Sequence, residues 1–236
     1  MSASEGYAHP EMLVGTDWLA KHLHDPNLRV VDMGPFEGYA RAHIPGAVHP
    51  GPADRSHYFK DPENPAHVMP PEAFAKVMST LGIGDDTTVV AYDADGGHTA
   101  ARLWWVMDYY GNGSCKVVNG GWNKWVATGH SVAIATPSYP PAAYTAKPRA
   151  GLCKLDHMLD HVVDNNAVII DVRSDGEWAG TEARGNKRSG HIPSAIHLEW
   201  KSYVTADDLK MLKPAAELRA LFEGSGITPE KLAITY

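Results

Sequence analysis

The sequence holds only two cysteines, Cys115 and Cys153, in 236 residues. Two thiols in so long a chain make neither a disulfide framework nor a multi-thiolate zinc site. The cytoplasm is therefore the expected location. Met1 to Val14 lacks a basic segment followed by an apolar one, so no secretory leader is expected there. No apolar run approaches the ~18–20 residues that cross a bilayer, so no membrane partner is expected. Positive charge is also scarce: 21 Lys and Arg stand against 28 Asp and Glu, a net charge of -7. Without a long basic run, nucleic acid and anionic membrane surfaces are poor partners. Histidine is plentiful at 13. Yet the cluster His22, His24, His43, His49 and His57 has no HExxH or comparable ligand spacing, so no metal is expected.

What is present is ordinary globular composition, 44% hydrophobic and 21% charged. The length allows one large domain or two small ones. An internal repeat decides for two. His43-Ile44-Pro45-Gly46-Ala47-Val48-His49 recurs as His191-Ile192-Pro193-Ser194-Ala195-Ile196-His197. Upstream of each is an apolar run ending in Asp, Arg29-Val30-Val31-Asp32 and Val168-Ile169-Ile170-Asp171. Downstream, Gly82-Ile83 leads to Val89–Tyr92, and Gly226-Ile227 leads to Leu232–Tyr236. Blocks in the same order indicate a duplication.

Val30–Asp32, Val89–Tyr92 and Lys116–Val118 are β-branched runs bounded by turn residues and read as buried strands. Helices are expected at Thr16–His24, with Thr16-Asp17 as the N-cap region, at Pro71–Leu81, and at Ala100–Tyr110. Alternating strands and helices imply an α/β fold with a parallel sheet covered on both faces. Thr136–Arg149 contains four prolines and reads as linker. The expected division is a domain at 1–130, a linker at 131–150 and a second domain at 151–236.

These residues resemble the two-domain rhodaneses, which are thiosulfate or 3-mercaptopyruvate sulfurtransferases. The resemblance rests on the His-Ile-Pro block after a strand ending in Asp, in both halves. It rests also on Leu103-Trp104-Trp105 followed by Asn119-Gly120-Gly121-Trp122. It implies two rhodanese-like α/β domains, each a central parallel sheet flanked by helices, of which the second is catalytic. The implied chemistry needs one cysteine on a tight loop after a strand. Backbone N–H groups there favour the thiolate and then its persulfide. The implied partners are a small anionic sulfur donor and a thiol or cyanide acceptor, and no cofactor is needed.

In the first repeat the nucleophile position holds Asp93, and a carboxylate carries no persulfide. This half resembles the family's inactive domain. In the second repeat Gly226 and Tyr236 stand as far apart as Gly82 and Tyr92, so the nucleophile is expected directly after Tyr236. The second domain is then expected to lack its C-terminal part, through a truncation, a cleavage, or a selenocysteine codon read as a stop. A completing chain is a candidate partner. Arg173, two residues beyond Asp171, is the candidate contact for an anionic donor, with a salt bridge as the plainer reading. The basic stretch Arg184–Arg188, including Lys187, adds charge before His191 or is a solvated loop.

Plainer readings hold elsewhere. Cys115 and Cys153 are expected to be structural. His43 and His191 are expected to brace a loop through Asp or backbone rather than to act as bases. Gly46, Gly120 and Gly121 are expected to be turn residues with positive φ or tight packing, and Trp104, Trp105 and Trp122 core residues. The alternative function is a non-catalytic rhodanese-fold binding or regulatory module.

Overall fold

The structure is a computed structural model that describes residues 6–51, 58–163 and 167–236. His57 lies outside the described residues. The chain forms two units, Met1–Ala150 with Ala206–Leu212, and Gly151–Thr205 with Lys213–Tyr236.

The first unit is built on β1 (Leu13–Val14), β2 (Leu28–Asp32), β3 (Thr88–Tyr92) and β4 (Cys115–Val118). They form a parallel sheet in the order β1-β4-β3-β2. The central strands β2 and β3 are buried on both sides, as a covered parallel sheet requires, while β4 is partly buried. Val31, Val89 and Ala91 point to one face, where they meet Phe74 and Met78 of α3 (Pro71–Thr80) and Leu103 and Met107 of α4 (His98–Tyr109). Val30, Val90 and Tyr92 point to the other. There they meet Leu19 of α1 (Thr16–His22), Tyr39 of α2 (Phe36–Arg41) and Trp125 of α5 (Gly121–Ala127). One expectation is corrected here. Thr16 does not cap α1: Gly15 is the N-cap, and the Thr16 side chain is buried in the unit.

The stretch expected as linker is laid along the first unit. His43 and Ala133 exchange backbone hydrogen bonds at 2.9 Å. The Tyr139 hydroxyl donates to the Gly46 carbonyl at 3.0 Å, and Tyr144 enters the core. The physical reason is composition. The prolines leave few N–H groups for a ladder, while the tyrosines carry enough apolar surface to dock. Ala206–Leu212 belongs to the same unit: the Leu212 N–H donates to Asn119 at 2.8 Å, and the Lys210 ammonium pairs with Asp95 at 2.5 Å.

The second unit has β5 (Ala167–Asp171), β6 (Ile196–His197) and β7 (Leu232–Thr235) in the order β6-β5-β7, all parallel. These are the counterparts of β2, the Val48 bridge to Val31, and β3. Leu221 and Phe222 of α8 (Ala215–Gly224) pack on Val168 and Ile170. α6 (Leu155–His161) contacts β5, and α7 (Asp175–Ala179) follows it. α6 exposes Leu155 and Leu159, whereas its counterpart α1 buries Leu19 completely. Among the described residues no helix is long and apolar enough to cross a membrane.

Candidate functional site

Each repeat carries one polar clamp at the C-terminal end of its sheet. In the first, the Tyr92 hydroxyl accepts from the Ile44 N–H at 3.1 Å and donates to the Asp32 carboxylate at 2.6 Å. In the second, the Tyr236 hydroxyl accepts from the Ile192 N–H at 2.9 Å and bonds to Asp171. Both clamps join the strand-ending Asp, the His-Ile-Pro block and the end of the third strand of the motif. This hub was not anticipated from the sequence, although the recurrence of Tyr at the same register was its signal.

The histidines of the block serve backbone, as expected, and neither is bonded to its Asp. His43 Nδ1 lies 2.8 Å from the Tyr39 carbonyl and His191 Nδ1 lies 2.9 Å from the Trp178 carbonyl. The second histidine of each block does the same: His49 Nε2 reaches the Gly34 carbonyl and His197 Nε2 the Arg173 carbonyl, both at 2.9 Å. Trp178 is stacked between His191 and His197, with centroids at 3.5 and 4.9 Å. Among the described residues no group of three or more His, Cys, Asp or Glu is arranged to hold a metal ion.

Arg173 is fixed at the end of β5. Its Nε donates to Asp171 at 2.9 Å, and its Nη2 donates to Asp171 at 2.5 Å and to the Gly190 carbonyl at 2.9 Å. The guanidinium lies 5.0 Å from the centroid of the Tyr236 ring. Burial would raise the Asp171 pKa, but the Arg173 and Tyr236 hydrogen bonds outweigh it and hold the carboxyl below its ordinary value. The charge is thus held in one rotamer against the ring of Tyr236. The turn after Arg173 is rigid too. Ser174 and Glu177 form a reciprocal capping box on α7. Arg184 of the basic stretch is engaged elsewhere, pairing with Glu177 at 3.3 Å and Glu182 at 3.4 Å, while Lys187 and Arg188 are exposed.

In the first repeat the loop after β3 wraps around its own Asp93. One carboxylate oxygen accepts from the Asp95 and Gly97 N–H groups, both at 2.9 Å. The other accepts from the Thr99 N–H at 2.8 Å and from the Thr99 hydroxyl and Ala100 N–H at 2.9 Å. Four backbone N–H groups at a loop and helix start form an anion cradle, and here it is filled from within. Trp122 N–H donates to the Asp93 carbonyl at 2.8 Å. Gly121 makes that approach possible: it has φ +47°, and a Cβ there would sit 2.0 Å from the same carbonyl oxygen. Gly46 and Gly120 also have positive φ, whereas Ser194, the counterpart of Gly46, takes φ 66° without being glycine. Trp104, Trp105 and Trp122 are partly buried and packed against the cores.

Neither thiol reaches these loops. Cys115 is buried at the start of β4, and burial raises its pKa well above the ordinary value, which suppresses the reactive thiolate. Cys153 precedes α6 and is partly exposed.

The sequence pattern of the Rhodanese-like domain family matches residues 15–128 and 155–236. Among curated proteins, the chain is 38% identical over 244 residues to the sulfur carrier protein TtuD of Thermus thermophilus, covering 98% of this chain and 84% of that protein. It is 33% identical to the thiosulfate sulfurtransferase of Corynebacterium glutamicum, covering 86% and 70%. It is 32% identical to that of Bos taurus, covering 91% and 77%. Among solved structures, the 3-mercaptopyruvate sulfotransferase SseA of Escherichia coli matches with a TM-score of 0.81 at 28% identity, over 95% of this chain and 87% of that one. The EanB–ergothioneine complex matches in fold, with a TM-score of 0.82 at 23% identity, over 97% of this chain and 61% of that one.

Proposed function

The chain belongs to the rhodanese-like family of sulfurtransferases, and on that premise we propose that it moves sulfane sulfur from thiosulfate or a related anionic donor to a thiophilic acceptor such as cyanide or a thiol. The nucleophile, Cys or selenocysteine, occupies the position directly after Tyr236, the counterpart of Asp93. Its thiolate or selenolate attacks the outer sulfur of thiosulfate. The donor's S–S bond breaks, sulfite leaves, and a persulfide or its selenium equivalent remains. Cyanide then attacks the outer sulfur, thiocyanate leaves, and the anion is regenerated. Loop N–H groups arranged as they are around Asp93 would stabilise each anionic stage.

The observation that carries this reading is Arg173, a cation locked by Asp171 and held against the ring of the last strand's tyrosine. A guanidinium has five N–H donors, more than its contacts with Asp171, Gly190 and Tyr236 use. The remainder suits the oxyanions of a donor. For the first unit alone the second reading, a non-catalytic module, is favoured by the Asp93 carboxylate that fills its own cradle.

The test uses a chain that continues past Tyr236 with Cys at the next position. Thiosulfate should add one sulfur to its mass, and cyanide should remove that sulfur as thiocyanate. Exchanging that Cys for Ser should bring both to background. Arg173→Ala should raise the donor KM more than it slows transfer to cyanide. An unchanged KM would return Arg173 to a purely structural ion pair. Turnover that survives the loop exchange but disappears in Cys115→Ser or Cys153→Ser would overturn the nucleophile assignment.

A further inference from the structure

The first unit contains a cavity of about 180 Å³ whose wall includes Asp32, Gly34, Tyr39, Ala42 and Trp122. The repeat gives these residues counterparts. Asp32 corresponds to Asp171, Gly34 to Arg173, Tyr39 to Trp178, and Ala42 to Gly190. In the second unit the carboxylate of Asp171 and the carbonyl of Gly190 hold a guanidinium. The first unit keeps the residues that correspond to both partners but has glycine where that guanidinium originates.

The remaining bonds of the carboxylate are the same in both repeats. The Gly34 N–H donates to Asp32 at 2.7 Å, as the Arg173 N–H donates to Asp171 at 3.0 Å. Each carboxylate also takes the hydroxyl of its tyrosine. A carboxylate has about four acceptor sites, so these two bonds leave Asp32 with acceptor capacity, and it lies on the cavity wall. His43 and His49 are the titratable groups that act on it electrostatically. Arg41 also lines the cavity, but it is exposed and is not among the groups that act on Asp32. Tyr39 and Trp122 offer aromatic surface against which a planar cation can lie.

We propose that this cavity is a receptor for a small guanidinium or amidinium cation supplied by another molecule, held by Asp32 as Asp171 holds Arg173. The substitution of arginine by glycine has turned an internal ion pair into an open binding site for the same chemical group. The site lies apart from the residues assigned to sulfur transfer, so it does not depend on that activity.

The probe is methylguanidinium, titrated at constant ionic strength and followed by NMR shifts of the Gly34 and Ala42 amides. Methylammonium, which lacks the planar paired donors, is the control. We expect saturable shifts with a Kd on the order of 1 mM, as a ligand of so few atoms allows. Methylammonium should bind at least about tenfold more weakly, the loss of one charge-assisted hydrogen bond. Gly34→Arg should abolish the response by filling the slot from within. The backbone at Gly34 is not left-handed, and a Cβ there needs only a small adjustment against Asp32, 3.0 Å away. Asp32→Asn should weaken binding by a similar factor. The proposal fails if methylguanidinium gives no saturable shift, if methylammonium matches it, or if Gly34→Arg responds as the parent does. The Gly34→Arg comparison remains decisive even if Asp32→Asn does not fold.

Discussion

The two repeats of this chain solve the same packing problem with the same bonds and then diverge in charge. Tyr92, Asp32, Ile44, His43 and His49 have counterparts in Tyr236, Asp171, Ile192, His191 and His197, and the tyrosine–isoleucine bond and the two histidine–carbonyl bonds of one repeat recur in the other within a few tenths of an ångström. What differs is Gly34 against Arg173, and a connection that runs three positions from Tyr39 to Ala42 but twelve from Trp178 to Gly190. The consequence appears in the two carboxyls. Burial raises the Asp32 pKa, whereas the arginine holds that of Asp171 down. The clamp is thus a structural unit indifferent to charge, and one residue beyond it decides whether the strand end presents a cation.

The largest effect that can break this comparison lies in the loop after β3. Asp93→Ala removes the acceptor of four backbone N–H groups and a hydroxyl, with the residue 2% exposed. Leaving several buried donors unpaired should cost roughly 3 kcal/mol or more. Urea unfolding should show a lower midpoint, with Asp93→Asn in between because it keeps one acceptor oxygen. A midpoint unchanged in Asp93→Ala would mean that water or buffer anion fills the cradle as well as the carboxylate does.

A smaller effect sharpens the comparison by making the same change in both clamps. Tyr92→Phe leaves the Ile44 N–H and Asp32 without a partner inside the core, where Tyr92 is 1% exposed, and should cost about 1–3 kcal/mol. Tyr236→Phe removes the matching bonds where water can reach the partly exposed Ile192 N–H and where the buried Asp171 keeps its bonds to Arg173, and should cost under about 1 kcal/mol. Equal losses in urea unfolding would show that exposure does not separate the two sites.

Much of this was legible in the sequence because periodicity and register are sequence properties. The β-branched runs became β2, β3 and β4, and Phe74 and Met78 form the buried face of α3. The place of Asp93 in its loop came from the resemblance, which puts the family's cysteine directly after such a strand. The tyrosine clamp did not, because nothing in the spacing says which atom a hydroxyl will reach across 44 or 48 residues. The capping box at Ser174 and Glu177 had its pattern in plain view. The docking of 131–150 was hidden for another reason. Proline content predicts the absence of a ladder, but not that Arg29, a buried residue, would stack 3.3 Å from the ring of Tyr139.

The smallest effect is a pH slope of opposite sign in the two repeats. An ordinary Asp titrates near about 3.9 when unfolded. Asp171 titrates lower in the fold, so its contribution is fully present above that value and is lost as pH falls through the folded pKa. Asp32 titrates higher in the fold, so the folded state holds its proton longer than the unfolded one. Between about 3.9 and the raised folded value, stability therefore falls as pH rises. Comparing each parent–Asn pair removes the contribution of all other groups. The stability of the parent relative to Asp32→Asn should decline on going from acid toward neutral pH. Relative to Asp171→Asn it should climb through the acid range and then stay flat. Constant offsets from altered hydrogen bonding leave these slopes untouched. Gly34→Arg gives the final control, because a guanidinium beside Asp32 should lower its pKa and turn the first slope toward the second. If both slopes share one sign, the arginine is not what sets the two carboxyls apart.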